Sequence, residues 1–419
     1  MFLKRVRGVR DILPSEAEKI HIVVDTCTDI AKSFGFREVI LPVLEHLELY
    51  LHTLGETTDI VEKQMFCIMP RGEHNKDELY VLRPEGTAGI VRMYKENNLK
   101  TIYSMRRFFY FGPMFRYERP QKGRFREFYQ FGIEIFAEPP VGSDFVIIKL
   151  ASLILERLNI KYELEINSIG CINCRKDFIN SVGPKLEKLK HRLCNVCLQR
   201  LSKNPLRIFD CKTDMLWLSK EINVMDLDIQ KFLCKNCNKE YEETLMLLKE
   251  NNIEYKTIPT LVRGLDYYNG FVFEFKTNLL QAAQNTLCAG GRYDGLVSQV
   301  DAETKYACGA AFGIDRLVEV VQYLPINAVT KVGIAIVNDN YFHKAFSFID
   351  NLLNIKNAVI IGPIKSKSLK AQLRIFNNEN CKYVIIVGDE VKYNQVVVKN
   401  FEKNIQNVVN ISEINKVIQ

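Results

Sequence analysis

Two arginines stand in short segments that could hold an anion. Arg116 lies in the segment GPMFRYER beside Glu118, and Arg316 ends the run AAFGIDR, in which small residues allow a strand and a helix to approach closely. An arginine stays charged near neutral pH and presents a planar fork that matches a carboxylate or a phosphate. Taken singly, Arg116 is also explained by a surface ion pair and Arg316 by ordinary helix packing. Neither arginine alone defines a site.

The elements that could position these arginines begin near the amino terminus. From Ser15 to Phe34 apolar residues recur at helical spacing, and Glu18 follows Ser15 by three residues, as in a capping box. Gly35 can end this helix. Residues 36–42 then alternate as a strand until Pro42, which has no N–H to donate to a ladder. This order predicts a helix followed by a strand.

A basic and aromatic stretch lies further along the chain. Eight cations occur from Lys100 to Arg126 against the single acid Glu118, and Phe and Tyr residues are interspersed among them. Two strands fit here, at 108–116 and 125–136, and the residues between them have turn chemistry. We therefore predict a basic hairpin.

The segment from about 171 to 245 is predicted to be a helical insertion. It carries most of the twelve cysteines and separates the hairpin from a glycine-rich block at 263–295. Beyond Arg316 a helix is expected to end before Pro325, because proline cannot continue it. We therefore place a domain boundary near residue 327.

Residues 328–419 alternate apolar strands with helical stretches. The strands are expected at 332–337, 358–361 and 383–387, and the helices at 343–353 and 368–378. Alternation of this kind predicts a small α/β domain with helices packed on a mixed sheet.

Composition and charge place few limits on function. The 419 residues allow roughly three folding units. Lys and Arg number 57 against 50 Asp and Glu, a net charge of +7 that does not by itself indicate a nucleic-acid partner. The apolar stretch 146–155 is interrupted by Lys149 and is too short to span a bilayer. With no secretion signal predicted at the amino terminus, we expect a cytoplasmic protein that does not enter a membrane.

The cysteines of the insertion could hold zinc. Two Cys-x2-Cys pairs are separated by nineteen residues, close to the spacing at which four thiolates hold a tetrahedral zinc ion. These pairs are Cys171 with Cys174 and Cys194 with Cys197. Further candidates are Cys234 with Cys237, and Cys211. The pairing is therefore not unique.

Three segments resemble, in order, the degenerate motifs of class II aminoacyl-tRNA synthetases. Residues 35–45 (GFREVILPVLE) look like the first motif, a helix-strand-proline element that builds the dimer interface of that class. Residues 115–134 are similar to the second motif, and residues 309–317 resemble the third. The resemblance implies a catalytic core built on an antiparallel sheet.

Four further segments resemble histidyl-tRNA synthetases in particular. They are RGVRDILP at 7–14, LRPEGT at 82–87, LVRGLDYYN at 261–269 and AGGRYDG at 289–295. The resemblance covers nearly the whole chain and implies an α+β fold. In it, residues 1–327 would form the class II catalytic domain with the insertion, and residues 328–419 an α/β anticodon-binding domain.

The resemblance also implies a reaction and its partners. The chain would be a homodimeric histidine–tRNA ligase that uses ATP with Mg²⁺ to activate histidine and then transfers it to the 3′ end of tRNA(His). Because the attacking carboxylate is already an anion, groups that hold phosphate charge should contribute more to the rate than proton transfer does. We therefore expect arginines to dominate the site.

The resemblance assigns roles to particular residues. Arg116 would bind the α-phosphate of ATP, Arg316 the γ-phosphate, and Arg263 would bridge the histidine carboxylate and the α-phosphate. Candidates for binding histidine are Glu85, Thr87, Gln130, Glu134, Tyr267, Tyr268 and Tyr293. Arg119 and Gln121, in the hairpin loop, would face the acceptor end of the tRNA. Many relatives keep the insertion without its cysteines, so no metal ligand is assigned and structural zinc stays open.

Two alternatives fit parts of these observations. One is a histidine-binding regulatory paralogue of a biosynthetic phosphoribosyltransferase, which has the catalytic core but no anticodon domain. Arg116, Arg263, Arg316 and the region 332–419 argue against it. The other is a general nucleic-acid-binding protein built on the basic hairpin, which would leave the glycine-rich motifs unexplained.

Overall fold

The chain divides into two compact units, Met1–Leu324 and Pro325–Gln419. The structure, a computed structural model, describes residues 4–55, 58, 60–69, 79–121, 123–222, 227–280, 284–322, 329–355 and 357–418. The predicted boundary near residue 327 lies outside the described residues.

The first unit combines strands and helices along its whole length. Its strands are β1 Arg37–Glu38, β2 Leu44–His46, β3 Phe66–Ile68, β4 Tyr80–Leu82, β5 Arg107–Phe115, β6 Glu127–Phe136, β7 Glu163–Ser168, β8 Lys256–Thr257, β9 Asn269–Lys276, β10 Thr286–Arg292 and β11 Ala307–Gly313. Its α-helices are α1 Pro14–Ser33, α2 Leu47–Leu54, α3 Thr87–Glu96, α4 Leu99–Ile102, α5 Gly142–Arg157, α6 Ile172–Lys188, α7 Asn195–Lys203, α8 Met215–Glu221, α9 Lys235–Glu250, α10 Asp294–Val300 and α11 Ile314–Val320.

An eight-stranded sheet forms the centre of this unit. Its strand order is β1-β5-β6-β11-β10-β9-β7-β8, and a smaller sheet has the order β2-β4-β3. Neighbours in the large sheet run antiparallel, apart from β1 with β5 and β7 with β8. The expected α+β fold with an antiparallel core is confirmed.

One face of the large sheet is a continuous apolar layer. Phe109 and Phe131, on neighbouring strands, stack with their ring centroids 5.3 Å apart. Helices α1, α5 and α11 cover them and bury residues such as Ile20 and Ile147 in the same cluster. Because this face is filled, polar side chains that must converge on a ligand lie on the opposite face.

Helix α1 matches the predicted helix but begins differently. It starts at Pro14, and its N-cap Leu13 makes no side-chain capping bond, so the expected capping box of Ser15 and Glu18 is wrong. Proline is favourable in the first turn because the N–H that it lacks would have no partner there and its φ is already helical. Gly35 ends the helix with a φ of +78°, as predicted.

The strand predicted at 36–42 is much shorter in the structure. Only Arg37 and Glu38 pair with β5, and they do so in parallel with Phe108 and Phe109. Ile40 is 87% exposed, so the chain has already left the sheet before Pro42.

The predicted hairpin is confirmed to within two residues at each end. Strands β5 and β6 pair from Arg107 with Ile135 to Phe115 with Glu127. Tyr110 therefore lies opposite Gly132. The aromatic residues mostly fill the two layers against the sheet, so this hairpin is a central part of the core and not a projecting arm.

Helices α6 to α9 fill the segment between β7 and β8, and the cysteines there form two separate clusters. The first contains Cys171, Cys174, Cys234 and Cys237, and the second contains Cys194, Cys197, Cys211 and Asp214. The grouping of Cys171 and Cys174 with Cys194 and Cys197, suggested by their spacing, is therefore wrong. Folding of the helices, and not separation along the chain, decides which cysteines meet.

The second unit has a five-stranded mixed sheet. Its strands are β12 Thr330–Ile336, β13 Ala358–Ile361, β14 Tyr383–Val387, β15 Gln395–Asn400 and β16 Ile405–Asn410, and its α-helices are α12 Ile349–Leu353, α13 Leu369–Asn378 and α14 Ile414–Val417. In the order β13-β12-β14-β15-β16, the first three strands are parallel and the last two pairings are antiparallel.

The three predicted strands of this unit are present, whereas the helix predicted at 343–353 is not continuous. A 3-10 turn at Lys344–Phe346 precedes the short α12. The predicted helix at 368–378 is α13, with the Ser368 side chain accepting the N–H of Ala371 as an N-cap. Strands β15 and β16 were not predicted. None of the described helices has the length and apolar character needed to cross a membrane.

Candidate functional site

A cleft of about 630 Å³ opens on the polar face of the large sheet. Its lining comes from β5, β6, β9, β10 and β11, from the segment before β9, and from residues 209–215 of the insertion. Nine of the predicted site residues line it: Glu85, Thr87, Arg116, Gln130, Arg263, Tyr267, Tyr268, Tyr293 and Arg316. Five separated segments of the chain therefore meet at one cavity.

Glu134 lies beneath this cleft in a closed hydrogen-bond network. Its side chain is almost fully buried, at 1% exposed. The Tyr293 hydroxyl donates to one carboxylate oxygen at 2.6 Å, and the Thr87 hydroxyl donates to the other at 3.1 Å. Burial, and then the nearby charge of Glu85, raise the pKa of Glu134 well above its usual range. A cationic group of a ligand would stabilise the ionised form.

Gly309 makes room for that carboxylate. It lies opposite Glu134 on β11, and a Cβ at this position would overlap the Glu134 side chain and lie 2.6 Å from the carbonyl oxygen of Ile133. Contacts that close do not occur for real Cβ atoms, so a side chain here would displace either the glutamate or the strand.

Glu85 is fixed at the start of α3. Its carboxylate accepts the backbone N–H groups of Thr87 at 2.7 Å and Ala88 at 2.8 Å. Burial raises the pKa of Glu85, while these two N–H donors act in the opposite direction. The helix N-terminus therefore holds the carboxylate in one position at the edge of the cleft.

Three predicted tyrosines and one unpredicted tyrosine form the aromatic part of the site. Tyr267 packs against Tyr268 with ring centroids 4.6 Å apart and against Tyr293 at 5.8 Å. Burial raises the pKa of Tyr268 to about 12, so its hydroxyl stays protonated. The buried Tyr110 hydroxyl has no hydrogen-bond partner among the described residues.

Sequence reasoning missed Tyr110 because one tyrosine among the hairpin aromatics carries no distinguishing pattern. Its ring fits because Gly86 and Gly132 have no side chains, and a Cβ at either position would overlap it. The two glycines at these positions were the available signal.

The three predicted arginines lie on the walls of the cleft with different anchors. The Arg116 Nε donates to the carbonyl of Pro84 at 2.9 Å, and the Arg316 Nη1 donates to the carbonyl of Thr286 at 2.7 Å. Each bond engages one edge of the guanidinium. Burial lowers the pKa of Arg116 and of Arg316, but both stay cationic because an arginine begins so far above neutrality.

Arg263 is paired with Glu274 of β9, a residue that sequence reasoning missed. Burial alone would lower the pKa of Arg263, but the charges of Glu274, Tyr268, Asp210 and Tyr267 together more than offset this and the pKa is raised. The buried Arg263 Nε has no hydrogen-bond partner among the described residues. An unpaired buried donor of this kind is costly unless an oxyanion occupies the cleft beside it.

Further charged groups at the cleft were also missed. Arg124 and Lys212 line it. Burial is the main cause of the lowered pKa of Arg316, and the positive charge of nearby Arg124 lowers that pKa further. Together with Arg116, Arg263 and Arg316, the residues Arg124 and Lys212 give the cleft cationic side chains that can bind the oxygens of a polyanion such as a triphosphate.

Arg119 and Gln121 lie apart from the other predicted residues. Both are exposed and neither lines the cleft. Gln121 closes a turn with Arg124 through backbone bonds of 2.9 and 3.3 Å. The structure therefore separates Arg119 and Gln121 from the predicted residues that meet in the cavity.

An antiparallel sheet with one apolar face, and a cleft that combines buried carboxylates with arginines from three motifs, define the catalytic fold of class II aminoacyl-tRNA synthetases. The family model described as histidyl-tRNA synthetase matches residues 8–317. The histidine–tRNA ligase of Nitratiruptor sp. is 39% identical, over 98% of this chain and 98% of that protein.

Solved structures give the same result. The apo histidyl-tRNA synthetase of S. aureus superposes with a TM-score of 0.80 at 26% identity and covers 100% of both chains. A protein from Bacillus halodurans, described as an ATP phosphoribosyltransferase regulatory subunit/histidyl-tRNA synthetase, has a TM-score of 0.68 at 22% identity over 92% of this chain and 98% of its own. The latter likeness concerns the fold alone. The chain belongs to the histidyl-tRNA synthetase family, and the resemblance seen in its motifs is confirmed.

We predict that Gly309→Ala lowers the free energy of unfolding by about 1–3 kcal/mol, because the new methyl group overpacks the Glu134 carboxylate. Urea unfolding followed by circular dichroism measures the change. Gly183→Ala is the matched control, since nothing lies within 4 Å of a Cβ there and the residue is helical. An unchanged midpoint for Gly309→Ala would contradict the packing described.

Proposed function

We propose that this chain is a histidine–tRNA ligase. In the first step a histidine carboxylate oxygen attacks the α-phosphorus of ATP, and pyrophosphate leaves to give histidyl-adenylate. In the second, the terminal ribose hydroxyl of tRNA(His) attacks the adenylate carbonyl, and AMP leaves. The observation that carries the proposal is that Arg116, Arg263 and Arg316 line the same cleft as Thr87 and Tyr293, which bond Glu134.

The three arginines would act on the phosphate charge. Arg116 would hold the α-phosphate and Arg316 the γ-phosphate. Arg263 would lie between the histidine carboxylate and the α-phosphate, two anions that repel each other before they react. Its unpaired Nε supports this role, because the edge of the guanidinium that is not bonded to Glu274 keeps a donor for an incoming oxygen.

Histidine would be recognised by polar groups in the cleft and beneath it. Glu134 and Tyr268 would meet the imidazole, and Gln130, whose buried Oε1 has no partner among the described residues, would accept an N–H of the substrate. Glu85 and Thr87 would meet the α-amino group, while Tyr267 and Tyr293 complete the wall. A site that leaves buried donors and acceptors unpaired rejects the wrong amino acid more strongly than shape alone does.

ATP and Mg²⁺ fit the size of this cleft and its arginine side chains. The volume of about 630 Å³ lies in the usual range for small-molecule sites. Three carboxylates of the lining are already engaged in ion pairs: Glu274 with Arg263, Glu118 with Arg124, and Glu165 with Lys276. We therefore propose that Mg²⁺ enters on the triphosphate, which supplies most of its oxygen ligands, as is usual for this ion.

Arg263→Ala should lower histidine-dependent pyrophosphate exchange by roughly a hundredfold to a thousandfold, or about 3–4 kcal/mol, as expected for one preorganised donor. Transfer from preformed adenylate should change much less. Lysine should rescue little, because it lacks the planar fork that spans two oxyanions. Exchange within about threefold of the parent, under roughly 1 kcal/mol, would show that Arg263 is structural.

The control for this variant concerns Glu274, which would lose its buried partner. The double variant Arg263→Ala with Glu274→Gln removes both charges, so it should fold like the parent and still fail to exchange pyrophosphate. Arg157→Ala, at an exposed helix position, is the control for loss of an arginine as such. Circular dichroism verifies the fold of each protein.

We propose that Arg119 and Gln121 face the acceptor end of the tRNA, because both are exposed and neither lines the cleft. Arg119→Ala should slow transfer to tRNA and leave pyrophosphate exchange nearly unchanged. Single-turnover transfer and exchange are measured on the same preparation. Equal losses in both steps would place Arg119 in the adenylate site instead.

We propose that the chain forms a homodimer through the segment 35–45. Ile40 is 87% exposed, and Val43 and Leu44 beside it are 37% and 46% exposed, an unusual concentration of apolar surface for one short segment. A twofold axis would cover the same residues on both copies.

Ile40→Asp is predicted to shift the protein to a monomeric mass at micromolar concentration, because a charge on each copy would have to be buried in the interface. Light scattering after size-exclusion chromatography measures the mass. Leu353→Asp, at a 65% exposed position of the second unit, should leave the mass unchanged. A parent protein that is already monomeric and active would end the dimer proposal.

We propose that the second unit binds the anticodon. We also propose that the protein acts in the cytoplasm, where tRNA is charged. The alternative function is that of the regulatory paralogue, a protein that binds histidine without catalysing a reaction. The presence of Arg116, Arg263 and Arg316 in one cleft favours the ligase, because binding histidine alone does not require three cations for phosphate.

A further inference from the structure

We propose that the insertion holds two structural zinc ions, one in each cysteine cluster. The ligand atoms of each cluster all lie within 4.8 Å of one another. Four sulfurs around a tetrahedral zinc, each at about 2.3 Å, lie about 3.8 Å apart. The Sγ atoms of Cys171 and Cys174 are 3.5 Å apart and those of Cys194 and Cys211 are 3.9 Å apart, whereas a disulfide requires about 2.05 Å.

The first cluster is made by two Cys-x2-Cys turns, each at the start of a helix. Cys171 is the N-cap residue of α6 and Cys234 that of α9, with Cys174 and Cys237 in the first turns. Helix N-termini stabilise thiolates, the form that binds metals. In addition, the backbone N–H of Cys234 donates to the Cys174 Sγ at 3.2 Å. Four thiolates in this arrangement select zinc among the common divalent ions.

Gly170 supports the first cluster. Its φ of +62° turns the chain into the cysteine pair, and a Cβ there would lie 2.5 Å from the Cβ of Cys174. Only glycine combines that backbone conformation with that close approach.

The second cluster combines three cysteines with a buried carboxylate. Cys194 is the N-cap residue of α7, and Cys197 lies in its first turn. Asp214 is 1% exposed, accepts the N–H of Cys194 at 3.0 Å, and donates its own N–H to the Cys211 Sγ at 3.3 Å.

A metal ion accounts for the burial of Asp214. Within the described part of the chain, the hydrogen bonds of its carboxylate come from backbone, indole and thiol groups and not from a cation. Burial of a carboxylate among thiols is costly, and a bound divalent ion supplies the missing positive charge.

The two ions would stabilise different parts of the insertion. The first joins the chain just after β7 to the start of α9, so it closes the base of the insertion. The second fixes Cys211 and its neighbours Phe209 and Met215, which line the cleft. Metal at the second cluster would therefore hold one wall of the substrate cavity in place.

The test is the metal content of the full chain, purified without chelators and measured by mass spectrometry of the metals. Two zinc ions per chain are expected, one for each cluster. The Cys234→Ser variant and the Cys194→Ser variant should each lose one zinc ion, and the double variant should lose both. Cys234 is exposed and Cys194 only partly buried, so neither serine should prevent folding. Cys67→Ser, an exposed cysteine outside both clusters, should keep both ions.

Replacement of zinc by Co²⁺ identifies the ligands without reference to enzyme activity. The charge-transfer absorption of thiolate–cobalt bonds should be stronger for the first cluster than for the second, and Asp214→Asn should change only the second. Cys234→His should keep the ion and shift the spectrum. If the parent protein holds one zinc ion, and only Cys234→Ser removes it, the first site is upheld and the second is overturned. Protein with no zinc, even after reduction and reloading, or with disulfides in the clusters, would overturn both.

Discussion

The contact between Glu134 and Gly309 is the constraint on which the catalytic unit depends. Strands β6 and β11 pair at these positions, and the missing side chain at 309 is what admits a carboxylate beneath the cleft. The same carboxylate binds Thr87 at the start of α3 and Tyr293 after β10. One buried acid thus connects three segments that are far apart in the chain, and a buried acid without those donors would be costly.

The acids and the arginines at the cleft differ in burial. Glu134 and Glu85 are buried, which raises the pKa of each carboxyl group. Arg116, Arg263 and Arg316 are only partly buried and are anchored by carbonyls or by Glu274. This combination suits a substrate that carries both a cationic amino group or imidazole and phosphates. Since the arginines are fixed before a ligand enters, they need little reorganisation when negative charge develops.

The insertion contributes to the cleft although it is distant from the motifs along the chain. Arg175 of α6 donates to the carbonyl of Tyr268 at 3.1 Å, and Arg207 forms an ion pair with Asp266 at 3.3 Å. Both contacts reach the segment that carries Arg263. A small helical layer of this kind has a limited core of its own, so metal ions at its base and at its inner edge would compensate for the apolar area that it cannot bury.

The sequence by itself determined the order of the motifs, the hairpin β5–β6 and the helix α1, because each depends on local periodicity and on neighbouring residues. It also identified the arginines and acids whose chemistry suits phosphate and histidine. It did not reveal Glu274, Tyr110 or the true cysteine partners, and it extended the strand at 36–42 too far. Those features depend on which side chains meet across the sheet and between helices. Only the tertiary structure decides such contacts, because pairing register and helix packing bring together residues whose separation along the chain carries no information about their distance in space.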